Sequence, residues 1–447
     1  MRQFFGAVRH VFYRLLLPSW MAPEWMSAME KIGFYLTTWL GILFMICYTY
    51  QFFYVFIALI LPQRRYPAAP QNKRYAVLVA ARNEATVLPQ LLKSIAAQTY
   101  PKDLITVFVV ADNCTDQTAA IARQYGARVF VRHNTVQVGK GHALAFLLEK
   151  IGRHGGLAAY DGYFVFDADN VLRENFIAEM HKAHAAGYAV LTSYRNSKNY
   201  GKSWISAGYA LWFLRESRYL QNPRTLLGGS AMISGTGFLM DRRIVMKNGG
   251  WKHFLLTEDI EFTVDMILQG ERIGYCHTAE LFDEQPENFI ASWRQRKRWA
   301  RGMLDVMRRY GGGLLRGALR CSWPCYDMAV SVMPAFLLSL LQLLALLVLF
   351  LLNLVLTGNA SLVLLHFLLD FFTFGYGVFW LLGAIALLSE WRHVYCAKWR
   401  AALWLFTFPI FMLTYIPVSF AALFWKNATW QPIAHTRALD VNDIEKG

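Results

Sequence analysis

Two aspartates one residue apart, Asp167 and Asp169, close an alternating apolar and aromatic run, Tyr163-Phe-Val-Phe-Asp-Ala-Asp-Asn170. A buried strand that surfaces in two carboxylates presents them at the lip of a sheet, where open α/β sheets bind ligands. Carboxylates this close repel unless a cation sits between them, and Mg²⁺ or Mn²⁺ bridging phosphate oxygens is the usual occupant. An Asp-rich turn gives the same letters without chemistry, because Asp and Asn favour turns. The neighbouring motifs decide between the two.

Ala80-Ala-Arg-Asn-Glu84 and Asp112-Asn-Cys-Thr-Asp116 end two further predicted strands and lead into helices. Helix N-termini there suit a phosphate, and the Asp112 carboxylate suits a base or ribose edge; plain helix capping is the competing account. Lys140 stands between Gly139 and Gly141, where small neighbours let a cation draw near a diphosphate. That Gly-Lys-Gly otherwise reads as a turn, and its spacing is not that of a nucleotide-hydrolysing phosphate loop. Thr257-Glu-Asp259 follows Gly249-Gly-Trp251 and opens an amphipathic helix. A carboxylate in that place is a candidate general base on an acceptor hydroxyl, or else an N-cap. Gln295-Arg-Lys-Arg-Trp299 lies on a helix-forming stretch. Basic residues with Trp mark many membrane interfaces, yet Arg298 also suits diphosphate oxygens and Trp299 a sugar ring.

These residues need a scaffold, and the composition shows two materials. The chain is 447 residues long, 55% hydrophobic and only 17% charged, with a net charge of +15. The basic residues flank apolar runs, which points to an anionic membrane surface. No basic aromatic sheet motif or long basic arm supports nucleic acid. Six scattered cysteines lack metal-site spacing and are expected as reduced, mostly buried thiols. No cleavable signal peptide is evident.

Residues 1–31, with Arg9, His10 and Arg14 among Phe, Leu and Trp, read as an interfacial segment. Residues 32–62 are apolar enough to span. Arg64, Arg65, Lys73 and Arg74 then place residues 74–287 in the cytoplasm. One span would leave Arg2, Arg9 and Arg14 outside, against the same rule, so the N-terminal topology stays open. Within 74–287, strands at Tyr75–Ala81, Ile105–Asp112 and Ala127–Arg132 alternate with helices before the Asp-x-Asp strand. That order predicts a parallel sheet with helices on both faces, Rossmann-like in its first half. Residues 288–324 read as interfacial amphipathic helix. Residues 325–425 hold apolar blocks at Tyr326–Leu356, Leu362–Leu388 and Ala401–Trp425, the last carrying Pro409 and Pro417 and either crossing or re-entering. A polar tail, 426–447, follows.

Asp112, Asp167-Ala-Asp169, Thr257-Glu-Asp259 and Gln295-x-x-Arg298-Trp299, in that order between membrane spans, resemble the processive family 2 glycosyltransferases. These include the hyaluronan, cellulose and chitin synthases and the bacterial poly-N-acetylglucosamine synthases. The likeness covers roughly Tyr75 to Tyr310 in detail and the remainder in architecture. It implies an α/β GT-A (Rossmann-like) cytosolic domain inserted between transmembrane and interfacial α-helices, in a multi-pass protein of the plasma (inner) membrane. It further implies a metal-dependent, inverting hexosyltransferase that takes UDP-N-acetylglucosamine or UDP-glucose and passes a β-linked polysaccharide across the bilayer.

By the same resemblance Asp112 contacts uridine, and Asp167 and Asp169 hold the diphosphate and Mg²⁺ or Mn²⁺, with Asp169 nearest the cation. Asp259 is the general base, with Glu258 and Thr257 beside it. Gln295, Arg298 and Trp299 line the acceptor and diphosphate site. Ala81, Asn83, Glu84 and Lys140 match the nucleotide loops less strictly. Ser234 and Gly235 resemble the acceptor-side loop commoner in amino-sugar synthases than the Cys-Gly-Ser of cellulose synthases. Trp430, Thr436 and Arg437 resemble a Trp-x-Thr-Arg gating segment, with extra residues between Trp430 and Thr436. A gating tail would be cytosolic, so Ala401–Trp425 would then re-enter rather than cross. The implied partners are a UDP-sugar donor, a growing polysaccharide acceptor and the lipid bilayer. One alternative is a non-processive transferase that glycosylates a lipid carrier, against which the Gln-x-x-Arg-Trp signature argues. Another is a nucleotide-sugar-binding channel component without turnover.

Overall fold

A computed structural model of the chain describes residues 26–333, 335–425, 435 and 437–446. Helix α1 (Ala28–Ile60) precedes a mixed domain. That domain opens with β1 (Tyr75–Ala81), α2 (Leu88–Ala96), β2 (Ile105–Asp112), α3 (Thr118–Gln124), β3 (Arg128–Arg132) and α4 (Lys140–Gly155). It continues through β4 (Gly162–Asp167), β5 (Val171–Leu172), α5 (Phe176–Ala185), β6 (Val190–Ser197) and α6 (Trp204–Glu216). A π-helical turn, Ser217–Gln221, runs into α7 (Asn222–Leu226). Then come β7 (Phe238–Asp241), α8 (Arg242–Lys247), α9 (Glu258–Leu268) and β8 (Ile273–Asp283).

Among the described residues the strands form one eight-stranded sheet in the order β3-β2-β1-β4-β7-β6-β8-β5. Strands β1, β2, β3 and β4 are parallel. Strand β7 runs antiparallel to both β4 and β6, and β6 is parallel to β8. Six strands therefore end at one lip, and β7 begins there. The strands expected from the sequence, β1 to β4, are parallel as expected; beyond them the sheet is mixed, with β5 and β7 antiparallel to their neighbours, and the four-residue β7 is too short to announce itself by periodicity.

Parallel strands covered on both faces read as unbroken apolar runs because successive side chains point to opposite sides. Ala76, Leu78, Val110 and Val165 pack under Leu144, Leu147 and Ile151 of α4 and under α6. Their neighbours Val77, Val79, Val109, Phe164 and Phe166 pack on the other face against Leu91, Ile95, Ile177 and Met180.

Beyond the sheet lie α10 (Phe289–Leu319), α11 (Trp323–Val332), α12 (Ala335–Thr357) and α13 (Leu362–Ser389). The Asn288 side chain caps α10 by accepting the Ala291 N–H at 2.8 Å. A bent pair follows, α14 (Lys398–Leu405) with α15 (Phe408–Leu413) and α16 (Tyr415–Leu423), and α17 (Val441–Glu445) closes the chain. Helices α1, α12 and α13 are long and apolar enough to cross a membrane, and the bent pair turns by 47°. The chain divides into two compact units. One takes in Ala28–Cys47 of α1, Leu338–Thr357 of α12 and α13 up to Phe374. There Phe34, Leu346, Leu364 and Phe367 pack together. The other holds the sheet domain, α10, α11 and the bent pair.

The apolar block Tyr326–Leu356, read above as one stretch, is two helices. Met333, which precedes Pro334, is extended (φ −62°, ψ 132°), as the residue before a proline is driven to be. Helix α11 is tied into the sheet-bearing unit by Asp327, which is buried and takes two 2.8 Å bonds from the Arg224 guanidinium. The hydroxyls of Tyr50 and Tyr54 also donate to it, at 2.8 and 3.1 Å. The thiols differ from expectation as well: all six are free, but only Cys276 and Cys325 are buried and Cys321 is exposed.

A buried charge left without its partner is costly. Asp327→Ala should lower unfolding stability in detergent by about 3–5 kcal/mol. Replacing both Arg224 and Asp327 by Met should recover most of that loss, and thermal unfolding of the two variants checks the ordering.

Candidate active site

The lip collects the polar ends of the strands. Ala81 ends β1 buried in the core, so it offers only backbone, and its carbonyl accepts the Cys114 thiol at 3.4 Å. Asn83 and Asn113 take φ of 57° and 51°, a conformation Asn tolerates. The Asn83 side chain accepts the Thr115 N–H at 2.8 Å, so it shapes the turn. Asp112 ends β2 and is buried against Arg132, which ends β3, at 2.6 Å. Beside them His142 stacks on Phe254 with centroids 4.6 Å apart.

The centre of the site is Lys140. Its ammonium donates to Asp167 Oδ1 at 2.5 Å and to the Gly235 carbonyl at 2.7 Å. Gly141 is required by packing, since a Cβ there would stand 2.3 Å from the His253 carbonyl oxygen. Gly235 is required by its φ of +84°, and Asp259 Oδ2 lies 3.7 Å from where its Cβ would be. The loop Ser234–Gly237, which leads into β7, thus lies against both Lys140, which holds Asp167, and Asp259. Thr236 Oγ1 accepts the Asp167 N–H at 2.9 Å. Arg195, from β6, donates to the Ser234 carbonyl at 2.6 Å and to Asp283 of β8 at 2.7 Å, and sits 3.9 Å from the Phe213 ring centre. Ser234 Oγ donates to Glu216 at 2.5 Å, and Gln221 donates to the same oxygen at 2.9 Å. The π-helical turn between Glu216 and Gln221 brings both to this loop, a common use of such bulges.

Thr257, Glu258 and Asp259 open α9. Thr257 Oγ1 is buried and has no partner among the described residues. Burial, then the Asp259 charge, pushes Glu258 up to about 7 against the pull of Lys140 and Arg298. Burial also raises Asp259, opposed by the Ile260 N–H, Lys140 and Arg195. On α10, Gln295 Oε1 is buried without a partner among the described residues. Trp299 stands edge-on to Tyr209 at 5.8 Å.

Asp169 is buried and accepts the Glu284 N–H at 2.9 Å. Burial works to raise it, but His435, Lys198, that N–H and Arg195 together hold it low. His435 Nδ1 is 3.1 Å from both oxygens of Glu84. Burial opposes its charge, yet Asp169 and Glu84 hold it protonated up to about 10. Burial raises Glu84 despite His435. Arg437 donates its N–H to Glu284 at 2.9 Å and its guanidinium to Glu287 at 3.0 Å. Trp430 and Thr436 lie outside the described residues.

No cluster of three His, Cys, Asp or Glu side chains forms a metal cage among the described residues. Mg²⁺-type sites, however, use one or two carboxylates and take the remaining oxygens from substrate phosphates. Asp169 fits that pattern, with Glu84 and His435 near it, whereas Asp167 commits one oxygen to Lys140. Sequence reading missed Arg132, Arg195, Lys198, Asp283 and His435. Arg132 ends the expected third strand, whereas Arg195, Lys198 and Asp283 lie toward, just after or at the ends of β6 and β8 and gain meaning once those strands are recognised.

The family described as "Glycosyltransferase like family 2" matches residues 70–302. The chain belongs to that family. It is 29% identical over 260 residues to "Probable glycosyltransferase YdaM" of Bacillus subtilis, covering 53% of this chain and 57% of that one. It is 27% identical over 232 residues to a β-monoglucosyldiacylglycerol synthase of Synechocystis, covering 51% and 47%. A Staphylococcus aureus poly-β-1,6-N-acetyl-D-glucosamine synthase is 26% identical over 238 residues, covering 52% and 55%. The chain spans about half the length of these curated relatives. Among solved structures, a Pyrobaculum calidifontis mannosyltransferase in complex with GDP-Man and Mn²⁺ aligns with TM-score 0.56 at 18% identity, over 90% of this chain and all of that one. The fold is therefore GT-A, an α/β domain with a mixed sheet and apolar helices on both sides in sequence.

The raised carboxylates give a pH signature. Burial raises both Glu258, up to about 7, and Asp259, so a base in this pair is lost by protonation as the pH falls, and a transfer that uses it should slow on the acid side. Glu258→Gln should move this acid limb to lower pH, because Asp259 then ionises without a like charge beside it; a pH–rate profile checks it.

Proposed function

We propose that this family 2 protein is an inverting transferase moving a hexosyl group from a nucleoside-diphosphate sugar to an acceptor hydroxyl on the cytoplasmic side of a membrane. The observation that supports this most is Lys140, which binds Asp167 and the Gly235 carbonyl while Asp259 Oδ2 also lies close to Gly235. Donor carboxylate, acceptor loop and base then serve one reaction centre.

Asp112 takes the nucleoside edge, and Lys140 and Arg298 are the cations for the diphosphate. Asp259 accepts the acceptor hydroxyl proton as its oxygen forms the bond to the anomeric carbon. The bond from that carbon to the diphosphate breaks on the opposite face, so one displacement inverts the centre without a covalent enzyme intermediate. Mg²⁺ or Mn²⁺ held at Asp169 supplies neutralisation of the leaving diphosphate when bound. Gln295 and Trp299 lie on the acceptor side, where Trp299 offers an aromatic face to a sugar ring. His435 and Arg437 fasten the tail across Glu84, Glu284 and Glu287, which supports a gating role for that tail.

We take the acceptor to be a growing β-linked polysaccharide, made from UDP-N-acetylglucosamine or UDP-glucose and exported. Gln295, Arg298 and Trp299 on a helix that packs against the bent apolar pair support it. Purified protein incubated with each UDP-sugar and Mn²⁺ should release UDP and yield a long polymer. One sugar per lipid molecule would replace the polymer reading with the glycolipid one, and UDP-sugar binding without UDP release would end the transferase reading.

A further inference from the structure

Lys198 follows the last residue of β6, and its N–H donates to the Asp283 carbonyl at 2.9 Å, beside the end of β8. The residue is 4% exposed, and its Nζ is buried with no hydrogen-bond partner among the described residues. Burial lowers its pKa, and the charges that oppose this are Asp169, Glu284, Asp283 and Glu84. Each of these is already engaged elsewhere. Asp169 takes the Glu284 N–H, Asp283 takes Arg195 and Gln285, Glu84 takes His435, and Glu284 takes the Arg437 N–H.

A buried ammonium with unused N–H groups is expensive to keep unless a ligand completes it. A lysine head group has donors to give and, when charged, no acceptor, so the partner its buried Nζ lacks is an acceptor oxygen. We propose that Lys198 binds a phosphate oxygen of the donor's diphosphate beside Asp169. Each carboxylate of the Asp-x-Asp pair then has its own lysine: Lys140 bonded to Asp167, and Lys198 facing Asp169 with its donors free. An ammonium is a compact point charge on a flexible stem, suited to phosphate without demanding the planar geometry of arginine. This inference rests on the nucleotide-sugar reading above.

The test uses the full chain in detergent with Mn²⁺, titrated with UDP, GDP, uridine and guanosine by ligand-detected NMR. Lys198→Met should weaken binding of the preferred diphosphate by about tenfold to hundredfold. Its affinity for the matching nucleoside should not change, and Lys198→Arg should recover part of the loss. Where Lys198→Met does not fold, Lys198→Gln reads the same ratio. Unchanged diphosphate affinity, or an equal loss for the nucleoside, would overturn the role of Lys198 while leaving the donor reading in place. A wild-type protein that binds neither diphosphate would overturn both.

Discussion

Lys140 is a part-buried cation that touches or acts on three carboxylates. Burial alone drives Glu258 and Asp259 toward their protonated forms, and Lys140 is among the charges that oppose this for both. The same ammonium holds Asp167 and the backbone of Gly235. Removing it would leave Asp167 without its bonded cation, take from Glu258 and Asp259 one of the charges that oppose their protonation, and release the Gly235 carbonyl. Its position in turn depends on Gly141, because the first turn of α4 lies too close to the His253 carbonyl for any side chain at that residue.

The sheet explains how residues far apart in sequence reach that lysine. Strand β7, inserted backwards between β4 and β6, begins where its neighbours end, so Ser234–Gly237 enters at the same lip as Asp167. Arg195 holds this loop from the β6 side through the Ser234 carbonyl, as Lys140 holds it from the α4 side. Two cations on successive carbonyls, each also bonded to a carboxylate, fix a backbone that Gly235 alone would leave free.

The first half of the domain was legible because β1, β2 and β4 are buried on both faces and read as continuous apolar runs that end in polar residues. The second half was not. Strand β8 carries His277, Thr278 and Glu280 among its apolar positions, and its pairing with β6 slips at Ser193/Tyr194, so neither periodicity nor position names its end. Arg195, Lys198 and Asp283 acquire meaning only once those two strands lie side by side. His435 meets Glu84 across 351 residues, beyond the reach of any local pattern. Asp327, the acidic residue inside the apolar block, was visible in the sequence, but its partner Arg224 was not.

The central claim is that Asp259 acts on the same reacting centre that Lys140 and Asp167 organise. It is tested most directly by measuring donor affinity and single-turnover transfer in the Asp259→Asn variant. The account predicts donor binding close to wild type with transfer slowed by roughly a hundredfold or more. Transfer at the wild-type rate, or donor binding lost in step with it, would contradict the account.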